Sequence, residues 1–149
     1  MRVRPVASGA LLGALLAAGC SQDPERVPAA CREGPPAVRT ALERAPAPVR
    51  LAGTPLSECI GDTTAGGDLQ QVGNAYVEVA AELAPAAARD PGGRSAVQLG
   101  YLIGALERGE TGSQGVGYEL RRRLRSELLS VDVGAPAFLR GRRAGRRTG

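Results

Sequence analysis

Asp68-Leu69-Gln70-Gln71-Val72-Gly73-Asn74-Ala75-Tyr76-Val77-Glu78-Val79-Ala80-Ala81-Glu82-Leu83 carries large apolar residues at 69, 72, 76, 79 and 83, at spacings of 3, 4, 3 and 4. That rhythm places all five on one face of an α-helix, a stripe that must be buried against other helices. Asp68-x-x-Gln71 has the form of a capping box at the start. Pro85 is expected to end or kink the helix, because proline disfavours helical conformation in the residue before it.

Outward from this segment the same period recurs. Leu99, Leu102, Ile103 and Leu106 predict a helix from Asp90-Pro91 or Ser95 to Leu106, stopped by Gly109. Gly100 and Gly104 stand four apart on it, where another helix can approach closely. Membrane dimer motifs share that spacing, but this segment is too short and too polar to span, so close packing in a soluble bundle is expected. After the loop from Gly109 to Gly115, Val116, Leu120, Leu124 and Leu128 recur every four residues. Arg121, Arg122, Arg123 and Arg125 cover the rest of that helix, with Glu119 and Glu127 for pairing, and read as a solvated charged face. Tyr76, Tyr101 and Tyr118 fall one to each of these three helices, as core edges with a polar handle.

Upstream, Pro35-Pro36 opens a short helix with Val38, Ala41, Leu42 and Ala45 on one face, stopped by Pro46 and Pro48. Thr54-Pro55 reads as a cap and first-turn pair leading into a turn or two with Leu56, Cys59 and Ile60. The expectation is an all-α fold: a small bundle of about four helices spanning residues 31–132. Beyond Val133 periodicity is lost, and residues 133–149 read as a disordered, arginine-rich tail against which Phe138 and Leu139 dock back.

Composition supports helices over sheets, since the apolar residues are mostly Ala, Leu and Val, with four aromatics in 149 residues. All 19 basic residues are arginine. The net charge of +4 is concentrated at the ends, and residues 20–139 carry 12 arginines against all 15 acids. The body is mildly acidic, which argues against a nucleic-acid partner.

Arg2 and Arg4 precede an uncharged stretch centred on Ala10-Leu11-Leu12-Gly13-Ala14-Leu15-Leu16-Ala17-Ala18, of signal-peptide length and short of the roughly 18 residues a spanning helix needs. It ends in Leu16-Ala17-Ala18-Gly19-Cys20, which resembles the lipobox of bacterial lipoproteins, with Ala17 where leucine is usual. The resemblance implies removal of residues 1–19, lipidation of Cys20 and display on the extracytoplasmic side of a cell membrane. Residues 20–30, with Pro24 and Pro28, then form a disordered tether. Each buried methylene contributes about 0.8 kcal/mol, so two or three acyl chains anchor stably. The chain is also similar to lipoproteins of high-GC bacteria to which no activity is attached.

With Cys20 lipidated, Cys31 and Cys59 remain, 28 residues apart. Export into an oxidising compartment makes a disulfide between them the expectation. A redox-active pair or metal thiolates are the alternatives, without the usual CxxC spacing.

The chain has neither His nor Lys. That removes histidine general bases, Ser-His and Cys-His nucleophiles, Schiff bases and phosphate-loop lysines. Carboxylates remain: Glu58, Asp62 and Asp68 flank a Gly/Thr-rich loop and could serve a small cell-wall hydrolase, although no tryptophan is present to stack on a sugar. The Asp62 to Asp68 loop could bind calcium but lacks EF-hand alternation. The expected function is non-catalytic, with no cofactor and no metal: a membrane-anchored binding or envelope accessory module whose partner is an envelope protein or an anionic polymer.

Overall fold

The structure is a computed structural model that describes residues 27–61, 66–109 and 116–149. Residues 1–19, Cys20, Asp62 and residues 20–26 of the tether expected over 20–30 lie outside the described residues; the described end of that tether is ordered, with Val27 buried and residues from Ala29 in a 3-10 turn. A 3-10 turn, Ala29–Arg32, precedes α1, Pro35–Leu42. A two-residue antiparallel hairpin follows, β1 Arg50–Leu51 paired with β2 Thr54–Pro55. Four longer helices complete the chain: α2 Gly66–Arg89, α3 Arg94–Gly109, α4 Val116–Glu127 and α5 Pro136–Thr148. The protein is mainly helical, as its apolar spacing requires.

Gly34 at φ 85° turns the chain into α1, whose first two residues are prolines. Proline's fixed φ and missing donor suit a first turn, where the N–H has no intrahelical partner. Val38 and Leu42, four apart, are buried. On α2 the stripe behaves as its period demands: Leu69, Val72, Tyr76 and Val79 are buried and Leu83 packs at the edge.

Two details of α2 differ from expectation. The helix begins at Gly66, so Asp68 lies in the first turn instead of capping it, where its charge still suits the positive helix end. Gln71 donates from Nε2 to the Arg32 carbonyl at 3.1 Å. Pro85 does not end the helix, which continues to Arg89. Proline removes one backbone hydrogen bond, but Ala84 and Ala87 on either side of it are buried, and that packing holds the last turn.

Thr54-Pro55 is a strand, not a helix cap. Ala52 at φ 43° and Gly53 at φ 94° both occupy the left-handed region, the geometry of a type I′ two-residue turn. An alanine at the first position hides the usual Asn-Gly signature. Leu56, Cys59 and Ile60 then follow in a buried turn, as expected.

The largest correction concerns residues 133–149, which are not a disordered tail. They hold α5, the fifth helix, whose Ala137, Phe138, Gly141, Ala144 and Gly145 are buried against α3. A Cβ built on Gly100 would lie 3.0 Å from the Phe138 carbonyl carbon, and one on Gly104 2.9 Å from that of Arg142. From the other side, a Cβ on Gly141 would lie 2.8 Å from the Val97 carbonyl carbon and one on Gly145 3.0 Å from that of Tyr101. Two pairs of glycines four apart therefore let the backbones of α3 and α5 touch, a spacing at which weak Cα–H···O contacts form. Arg108 donates from Nη1 to the carbonyls of Arg146 (3.2 Å) and Arg147 (2.9 Å), satisfying acceptors that the helix end leaves open.

With α2 on one side and α5 on another, α3 is the central helix. Its Ala96, Val97, Leu99, Tyr101, Leu102, Ala105 and Leu106 are buried nearly all round. Tyr101 Oη accepts from the Val49 N–H at 3.0 Å and pairs with Thr148 Oγ1 at 2.9 Å, tying the hairpin region to α5. Cys31 and Cys59 are joined in a buried disulfide, Cα to Cα 5.5 Å, which staples the N-terminal turn to the segment after the hairpin.

Candidate functional site

Four segments converge on an apolar groove. From α3 come Ile103, Leu106 and Glu107, which share one face at i, i+3 and i+4. From α4 come Arg121, Leu124 and Arg125 at i, i+3 and i+4, with Leu128 just past its end, and from α5 come Phe138 and Arg142. The α4–α5 connection supplies Leu129, Val131 and Val133. The groove encloses about 480 Å³, within the usual range of ligand sites.

Its polar groups sit among the apolar ones. Arg142 donates from Nε to both oxygens of Glu107 at 3.0 Å, and from Nη2 to Oε1 at 2.6 Å. The hydrogen bond to Glu107 holds the Arg142 pKa above its ordinary value, outweighing partial burial, which acts the other way. Arg146 Nε stands 3.9 Å from the second oxygen of Glu107. The carboxylate in the groove is thus committed to two guanidinium groups from α5.

The α4–α5 connection is a run of tight turns. Leu129 donates to the Ser126 carbonyl (3.4 Å), Val131 to that of Leu128 (3.0 Å), and Gly134 to Asp132 Oδ1 (3.0 Å). On this hydrogen-bonded platform Leu129 is 85% exposed and Val133 45%. Both side chains border the apolar groove. Residues 116–149, which include α4, the connection and α5, hold nine arginines and three acids.

The residues singled out by sequence chemistry lie elsewhere. Glu58 is exposed, and Asp68 stands 3.9 Å from Arg32. Among the described residues no three His, Cys, Asp or Glu side chains come together. Among them, too, no helix is long and apolar enough to cross a membrane. Tyr76 and Tyr101 are buried with hydrogen-bonded hydroxyls, whereas Tyr118 is half exposed. The groove was not legible in the sequence because part of its wall, Phe138 and Arg142, comes from α5. Phe138, expected to dock back, does so and is 1% exposed.

Comparison of the chain with protein-family models, curated proteins and solved structures gives no match.

Proposed function

We propose that this protein is a lipid-anchored, non-catalytic binding module on the extracytoplasmic face of a cell membrane. The observation that carries the binding part is the groove between α3, α4 and α5, with Leu129 exposed at its edge. A hydrolytic site of the two-carboxylate kind needs one carboxyl group free to donate and one to attack or activate water. Glu107, the carboxylate that lines this groove, is spanned by Arg142. The anchoring part is supported by Leu16-Ala17-Ala18-Gly19-Cys20.

The test is a photo-crosslinking amino acid at Leu129 of the full chain in native cells, with Arg44 as the control position. A discrete adduct from position 129 that Arg44 does not give is expected. Adducts equally diffuse at both positions would remove the groove as a binding site. Mass analysis of the same protein addresses the anchor: Cys20 is expected at the N-terminus and acylated, and Cys20→Ala is expected to abolish processing.

A further inference from the structure

The exposed apolar and cationic groups at the groove suit a partner that is itself apolar beneath an anionic layer. We propose that the edge of the groove docks on the surface of an anionic bilayer. Leu129 and Val133 enter the interfacial region, and the exposed Arg125 faces the lipid phosphates. The proposal rests on the binding reading above and names the partner of that same groove.

Three observations converge on it. First, Leu129 and Val133, 85% and 45% exposed, are presented on a turn braced by its own hydrogen bonds. Apolar side chains on a turn braced by its own hydrogen bonds can leave water without unfolding anything. Second, three arginines and one acid, Glu107, line the same groove, Glu107 being paired with Arg142, and the segment that carries the turn has nine arginines against three acids. Arginine matches phosphate oxygens through its planar fork, and one cation near an anionic surface is worth about a fivefold change in binding. An apolar partner without charge would leave this excess unexplained. Third, Val27 follows Cys20 by seven positions, a separation of at most about 25 Å. Val27 is buried in the domain, so a lipid on Cys20 would hold the domain beside the bilayer at high effective concentration.

The experiment uses the full, acylated chain reconstituted in vesicles, with an environment-sensitive fluorescent amino acid at position 129 or, as control, at exposed Glu58. Vesicles are phosphatidylcholine alone or equal parts phosphatidylcholine and phosphatidylglycerol. Emission from position 129 is expected to shift to the blue, and to be quenched by lipid-borne quenchers, on the anionic vesicles only. High salt should reverse this. Arg125→Gln is expected to lower the docked-to-free ratio about fivefold, and Val133→Ser to lower it further. Both residues are exposed, and retention of the Cys31–Cys59 disulfide by mass verifies that each variant is folded. An aqueous spectrum at position 129 on anionic vesicles, or equal docking on both compositions, overturns the proposal. A protein adduct at position 129 in cells together with that aqueous spectrum overturns the lipid surface while keeping the groove as a binding site.

Discussion

Gly104 lies with its α-carbon against the backbone of Arg142, so close that a methyl group there would overlap the Arg142 carbonyl. Alanine favours a helix over glycine by about 1 kcal/mol, yet here packing opposes propensity. Gly104→Ala is expected to destabilise the protein by about 2 kcal/mol, because the obstacle is backbone and cannot turn aside. Gly67→Ala, in the first turn of α2 with nothing within 4 Å of the new methyl, is expected to be neutral or stabilising by up to about 1 kcal/mol. Thermal unfolding of the two variants checks the opposite signs.

The disulfide closes a 28-residue separation. Chain-entropy arithmetic assigns it about 3 to 4 kcal/mol, a large share for a domain with few aromatics. Reduction should add the mass of two hydrogens and lower the urea midpoint. A Cys31→Ala/Cys59→Ala variant should lose comparable stability and become insensitive to reductant.

Ala52 holds φ 43°, a conformation that costs a non-glycine residue about 1 kcal/mol. Ala52→Gly should therefore raise stability by roughly 0.5 to 1 kcal/mol, and Ala52→Asn by somewhat less. Ala52→Val should do the reverse. Chemical denaturation of the three variants would show this order.

Tyr76 is fully buried, its hydroxyl donating to the Leu56 carbonyl at 2.9 Å, and burial pushes its pKa far above the usual tyrosine value. The unfolded chain ionises near pH 10 and the folded one well above that. The stability from holding Tyr76 neutral is thus fully present below about pH 10 and is lost as pH rises past it. Unfolding free energy measured from pH 8 to 11 should fall at the alkaline end. Tyr76→Phe should flatten that fall while losing about 1 kcal/mol at neutral pH through the missing hydrogen bond.

The arrangement of α2, α3 and α4 follows from residues whose side chains are large enough to leave a period in the sequence. Leu69, Val72, Tyr76 and Val79 mark one face because a helix with that stripe has no stable exposed state. Lack of histidine and lysine likewise limits chemistry before any coordinates are known. The pairing of Cys31 with Cys59, expected from the lipobox resemblance at Cys20, is the one the structure holds.

The last helix is a different case, and so is the groove it completes. Gly141 and Gly145 read as helix breakers among arginines, and local propensity favours disorder there. They become helical because Gly100 and Gly104 on α3 offer a surface flat enough for backbone to meet backbone. Gly100 and Gly104 mark a place for close approach on α3, but glycine leaves no hydrophobic period, so nothing in the sequence marks α5 as the helix that makes it. Composition, period and cysteine count determined a disulfide-bonded helical domain. Tertiary packing alone decided that the arginine-rich end is a helix, that Arg142 spans Glu107, and that Leu129 stands exposed beside an apolar groove, since each depends on which backbones can approach.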